Sequence, residues 1–172
     1  MLIVGGDRMS GKLRNMTSIY ILRDDNVLLL YRQGGRVVNN VWTGSAGGHF
    51  EDFELNDPES CVLREMKEEL EIDRSDLERL HLRYVTLRRF KGEIRQNYYY
   101  FADLNKEYSK TITSNEGVVK WFPVNAIRNL EMPYTAKYVM EHYLTIGRGT
   151  SVTYVGVADG CKVQFVTMPE YL

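Results

Sequence analysis

The sequence predicts an α+β chain, a mixed β-sheet sandwiched between helices. Three observations point there. Runs rich in β-branched and aromatic residues recur at 16–31, 82–102, 118–122 and 150–167, which is strand composition. Two segments between those runs, 57–72 and 134–144, carry helical signals. With 172 residues and 44% hydrophobic composition, the chain is long enough to bury one sizeable core.

Taken in order, residues 16–23 and 27–31 read as two strands joined at Asp24, Asp25 and Asn26, whose short polar side chains suit a tight turn. Gly34 and Gly35 open a loop, and residues 43–49 lead into an acidic segment. A helix then starts at Asp57. Its carboxylate can accept from the free amides of the first turn, Pro58 suits the first helical position, and Glu59 favours the positive dipole end. The helix runs to about Ile72, and Val62, Leu63, Met66 and Leu70 recur three and four apart as one apolar stripe. Ser75 with Glu78 matches a capping box for a further helical turn.

Residues 82–90 and 94–102 read as strands, and alternation in the second puts half of Tyr98, Tyr99, Tyr100 and Phe101 in the core. Residues 118–122 form another strand; Pro123 starts a short helix to about Leu130, and 134–144 a longer one. Residues 150–157 and 161–167, joined through Asp159 and Gly160, give a hairpin. The expected organisation is a flexible extension over 1–15, a domain over 16–146, and a hairpin over 147–172 packed on the domain or extending it.

A net charge of −1 gives no electrostatic reason to expect stable nucleic-acid binding. A local basic patch of Arg83, Arg88, Arg89 and Lys91 is the exception to weigh, and along a strand these residues read rather as an exposed face. No uninterrupted apolar run approaches the roughly 18 residues of a membrane span, so a soluble, cytoplasmic protein is expected. Cys61 falls in the helix and Cys161 in a late strand; they lack zinc-like spacing and are expected to be reduced. His49, His81 and His142 share no spacing either. Gly6, Gly11 and Lys12 nearly match a P-loop. Leu13 stands where that motif needs Ser or Thr, and a strand follows where it needs a helix.

The informative stretch is Gly47 to Ile72, with nine acidic side chains and two of Lys or Arg. Glu65, Glu68 and Glu69 share one helix face, where such neighbours repel by about 0.2–0.5 kcal/mol per pair. Arg64 and Lys67 do not form the favourable Glu-then-Lys order of a helix built for solubility. A glycine pair, Gly47 and Gly48, precedes the helix and suits close backbone approach. A hard cation held by carboxylates and a backbone carbonyl fits both features.

Gly48, Glu54, Arg64, Glu65, Met66, Glu68, Glu69 and Ile72 resemble the signature of the Nudix hydrolases. Two departures stand out: nine residues rather than seven separate Glu54 from Arg64, and Glu71 replaces the last Gly. Family members commonly place Pro six positions before the Arg, as Pro58 stands here, so the insertion falls around Leu55 and Asn56. Lengthening a loop there costs about a few tenths of a kcal/mol. The register of the three helix carboxylates is untouched, and the role of Glu54 stays open. At Glu71, a left-handed cap costs a non-glycine about 1–2 kcal/mol, so a different helix ending is expected.

The resemblance implies a Nudix fold and water attack on a diphosphate linkage, with magnesium as cofactor and manganese as a substitute. Glu68 and Glu69 would hold the metal with the Gly47 carbonyl. Glu65 would bind metal or act as base, and Arg64 would hold a Glu in place. Many members carry a late acid that reaches the site, and Glu116 takes that position, although a turn acid beside Gly117 reads equally well. Arg32, ending an apolar strand, is a candidate phosphate contact or a surface cation. The short layout is similar to enzymes acting on nucleoside triphosphates such as 8-oxo-dGTP. ADP-ribose or sugar-nucleotide substrates and a non-hydrolytic nucleotide sensor are the alternatives. Related isopentenyl diphosphate isomerases use a Cys near the strand before the box, absent here. The sequence is compatible with a homodimer without requiring one.

Overall fold

Alternation along the first strand fixes the layering. In β1 (Leu13–Arg23), Ile19 and Ile21 enter one apolar cluster and Tyr20 and Leu22 another, and all four are buried. Successive side chains point to opposite faces, so the sheet is covered on both sides. The computed structural model describes residues 11–33 and 40–171.

The strands that follow are β2 (Asn26–Arg32), β3 (Val41–Thr43), β4 (Leu77–Phe90), β5 (Glu93–Leu104), β6 (Gly117–Pro123), β7 (Thr153–Ala158) and β8 (Val163–Met168). Their order is β3-β2-β1-β5-β4-β7-β8, with β6 paired to β2. β1 runs parallel to β5 and β4 parallel to β7, while the remaining pairs are antiparallel, so the sheet is mixed.

Helix α1 (Pro58–Leu70) packs Val62, Met66 and Leu70 on Ile19, Ile21 and Leu28. Helix α2 (Tyr134–Thr145) packs Ala136, Val139, Met140 and Tyr143 on the other face, against Tyr20, Leu29 and Phe101. That is the expected α/β/α layering. The C-terminal hairpin extends the sheet through β7, Tyr84 lying opposite Tyr154.

Several expectations need correction. The extension expected over 1–15 is strand from Leu13, because Leu13, Arg14 and Asn15 pair with Ile94, Arg95 and Gln96. Its first ten residues, including Gly6, lie outside the described residues, as do Gly34 and Gly35. Tyr99, Tyr100 and Phe101 are all buried, not half of the run, since helices cover both faces of β5. Arg83 is no surface cation: it is buried and donates to the carbonyls of Gly147 and Thr150, each at 2.8 Å. The turn after α1 is a 3-10 helix at Arg74–Asp76, capped reciprocally by Asp73 and Asp76 rather than Ser75 and Glu78. Cys161 lies in the hairpin turn, its amide held by Asp159 at 2.8 Å, and both cysteines are free. Among the described residues no helix is long and apolar enough to cross a membrane.

Candidate active site

The site begins where β1 and β2 part. They pair only from Ile21 to Arg23, and before that point residues 44–50 take the place of β2 along the edge of β1. Ser45 donates its amide to Ile19 O (2.7 Å), Ile19 to Ala46 O (2.9 Å), and Thr17 to Gly48 O (2.8 Å). The fully buried Ser45 hydroxyl closes the fork, accepting from the Ile21 amide at 2.8 Å and donating to Leu28 O at 2.6 Å. This pins the glycine pair. Gly47 has φ 147°, and a Cβ there would overlap the Thr17 carbonyl; a Cβ on Gly48 would overlap the Glu65 carboxylate.

Helix α1 presents its acids to that loop. Asp57 caps it by accepting from the Ser60 amide at 3.0 Å, with Pro58 at the first position. Near its end, Glu69 is 7% exposed and receives the Gly47 amide (3.1 Å) on one oxygen and Arg32 Nη2 (2.8 Å) on the other. Burial pushes its pKa up to about 7, against the opposing pull of Arg32 and the Gly47 amide. Arg32 also lies 3.8 Å from Glu116, whose loop is tied to the helix by Asn115 donating to Glu68 O at 3.2 Å. The sheet edge and the helix thus meet at one point.

Arg64 organises the other carboxylates. Its Nε and Nη2 grip both oxygens of Glu54 at 2.7 and 2.9 Å, and its Nη1 reaches Glu65 and Glu68 at 3.0 Å each. Nη2 also donates to His49 O at 3.1 Å. The guanidinium holds the Glu54 carboxyl below its usual range, while burial raises that of Glu65. Cys61, beneath this network, contacts Thr17 Oγ1 at 3.4 Å, and burial pushes its thiol up to about 11. It is a protonated packing group at neutral pH, not a nucleophile.

Glu65, Glu68, Glu69, Arg64, Gly47, Arg32 and Glu116 therefore share one end of the sheet. Sequence reasoning left Glu54 open; the structure makes it the buried anchor of Arg64. It missed the Arg14 Nε to His49 Nε2 bond of 2.6 Å, since nothing in the spacing links those residues.

The donor set suits a hard cation, being carboxylate and carbonyl oxygen throughout. As the side chains lie, no three His, Cys, Asp or Glu among the described residues are grouped to hold an ion. Glu65 and Glu68 turn to Arg64, and Glu69 to Arg32. Glu68 has a side chain 58% exposed and can swing toward the loop. A separate cleft of about 690 Å³ lies at the opposite end of the sheet, beside Arg23, Arg79, Arg83 and Arg148. Those guanidinium groups are already bonded to carbonyls or to Asp103 and Asp25, and the clustered carboxylates, not this cleft, mark the site.

A family model described as the NUDIX domain matches residues 12–143. Among solved structures, the mutator MutT protein of Bacillus halodurans is 19% identical with a TM-score of 0.64, the match covering 92% of this chain and 99% of that one. The Caenorhabditis elegans Ap4A hydrolase binary complex is 19% identical, TM-score 0.63, covering 80% and 99%. The NUDIX domain of Shewanella oneidensis NrtR complexed with ADP ribose is 18% identical, TM-score 0.57, covering 82% and 90%. At these identities the likeness is one of fold. No curated protein matches the chain.

Proposed function

The chain belongs to the NUDIX family of hydrolases, and on that premise we propose that it cleaves the diphosphate linkage of a nucleoside diphosphate derivative, with a nucleoside triphosphate, oxidised or not, as the leading substrate class. The observation that carries this reading is the meeting of Glu69 with Gly47 and Arg32 beside the Arg64-linked Glu65 and Glu68. A helix face of three acids is self-repelling on its own. Here it is locked to a glycine loop and flanked by cations.

Glu65, Glu68 and Glu69, with the Gly47 carbonyl, are the groups that would hold a divalent cation, magnesium foremost and manganese as a substitute. Such a cation neutralises phosphate charge and lowers the pKa of water. The protein's own groups do the rest. Glu65 is half-buried and its pKa is raised, so it can take a proton from attacking water nearer neutral pH than an ordinary carboxylate can. Arg64 positions Glu65 and Glu68 through Nη1 while its other nitrogens stay anchored on Glu54. Arg32, about 30% exposed, holds Glu69 by a single Nη2–Oε1 contact and can exchange it for a substrate phosphate oxygen, since a guanidinium donates to carboxylate and phosphate alike. Glu116 lies 3.8 Å from Arg32, and in this reading it would orient water as that exchange occurs.

The test is release of phosphate or pyrophosphate from a panel of 8-oxo-dGTP, ordinary nucleoside triphosphates, ADP-ribose and dinucleoside polyphosphates, with and without magnesium. Magnesium-dependent turnover of a triphosphate supports the reading. Turnover confined to ADP-ribose moves the substrate class to sugar nucleotides, and binding without turnover moves the protein to a nucleotide sensor.

A further inference from the structure

β8 closes one end of the sheet, and its outer edge has no strand beside it among the described residues. Edge strands of soluble proteins are commonly protected by a central Lys, a Pro, a bulge or brevity. The six residues of β8, VQFVTM, carry no charge and no Pro, and they pair with β7 from Val163 to Met168 without a register shift. On the face away from α2, Val166 is 64% exposed, Met168 47%, and Val157 of the neighbouring strand 54%.

We infer that β8 is a self-association edge, pairing antiparallel with β8 of a second copy to make one continuous sheet across a two-fold axis. The charges flanking the strand select this partner. With Val166 facing the partner's Val166, Phe165 lies opposite the partner's Thr167 and Gln164 opposite the partner's Met168. Continuing outward in that register, Lys162 lies opposite the partner's Glu170, and the symmetry repeats that opposite-charge pair at the other end. Opposite charges facing across strands favour pairing and like charges oppose it.

The backbone agrees with that register. Asp159 donates to Lys162 O in the hairpin turn, so Gln164, Val166 and Met168 aim their amides at β7. The alternation leaves Val163, Phe165 and Thr167 with N–H groups pointing outward. Those are the residues that must bond across the axis when Val166 faces its own copy. Pro169, which has no N–H, falls at the end of the ladder, where Val163 of the partner still finds its carbonyl.

The experiment is sedimentation of the full chain across a concentration series under reducing conditions, which removes Cys161 cross-links from consideration. A monomer–dimer equilibrium is expected. Lys162→Glu or Glu170→Lys alone should weaken it on the order of tenfold, and the two together should restore it. Lys162 and Glu170 are both exposed on their own chain, so folding is checked simply by circular dichroism. In a Cys161→Ser background, Val166→Cys should form a disulfide-linked dimer on oxidation and Gln164→Cys should not. A chain that stays monomeric throughout, or a dimer indifferent to both single reversals, overturns the assignment.

Discussion

Arg64 grips both oxygens of Glu54, at 2.7 and 2.9 Å, and that carboxylate is 1% exposed. The pair is the fixed point from which Arg64 reaches the exposed end of the acidic face. Removing one partner of a buried pair strands the other charge, which costs about 3–5 kcal/mol. Because Arg64 is itself partly exposed, Arg64→Ala should destabilise by about 3 kcal/mol in urea denaturation. Arg64→Lys should rescue only part, since a point charge cannot hold two oxygens in fork geometry. The pairing lowers the pKa of Glu54 from 4.5, so its contribution is present above that value and lost as pH falls through the depressed folded pKa. Arg64→Ala should therefore flatten the acid limb of the stability curve, and an unchanged limb would contradict the pairing.

Glu68 is the acid whose loss the fold should tolerate best, its side chain being 58% exposed. Glu68→Gln should unfold at the wild-type temperature. Loss of an outer partner of a metal site costs about 10–100-fold, and a ligand should cost no less. Metal-dependent turnover in the Gln variant should fall by at least that factor. A well-folded variant with wild-type turnover would remove Glu68 from the site.

The two glycines should respond differently to the same added methyl. In Gly47→Ala the new carbon meets the Thr17 backbone at positive φ, so overpacking of about 1–3 kcal/mol should appear as a lowered melting temperature. In Gly48→Ala its nearest neighbours are the atoms of the Glu65 carboxylate, the far end of a side chain that can rotate away. Thermal stability should then hold while turnover drops. Equal melting shifts in the two variants would mean that the loop is not pinned to β1 as described.

How far the sequence was readable follows from the range of the forces involved. The start of α1 was legible because Asp57, Pro58 and Glu59 act within one turn. The grouping of Glu65, Glu68 and Glu69 was legible because helical spacing alone puts them on a face. Arg32 meeting Glu69 was not, since 37 residues separate them and only the fork at Ser45 brings the end of β2 to the helix. Arg83 misled for a similar reason: strand alternation says which face a side chain takes, and nothing in it reveals that the carbonyls of Gly147 and Thr150 wait there.

The end of α1 gives a test of the departure at Glu71. A different ending was expected, yet Glu71 adopts the left-handed cap at φ 57°, ψ 25°, its amide bonded to Lys67 O. The fully buried Ile72 explains this, because the chain must reverse at once to place that side chain in the core. The left-handed conformation costs a non-glycine about 1–2 kcal/mol, partly offset by the greater backbone entropy that glycine loses. Glu71→Gly should therefore raise stability by about 1 kcal/mol, read as an upward shift in the denaturation midpoint. A lowered midpoint would show that the Glu71 side chain supplies a compensating contact.

His142 makes the packing of the C-terminal hairpin sensitive to acid. Its Nδ1 lies 2.9 Å from Tyr84 Oη, and its ring sits 4.7 Å from Tyr154 and 4.5 Å from Phe165. Burial raises the pKa of Tyr84, so the phenol keeps its proton and donates to a neutral imidazole. Burial also lowers the pKa of His142 below 6.5. As pH falls through 6.5 the unfolded chain takes up the proton first, and stability drops until the folded pKa is passed. Above 6.5 the effect vanishes. His142→Gln keeps an acceptor for Tyr84 and removes the titration, so it should lose less stability than wild type between pH 7 and pH 5, with the other groups common to both chains. Parallel losses in the two proteins would place the acid sensitivity elsewhere.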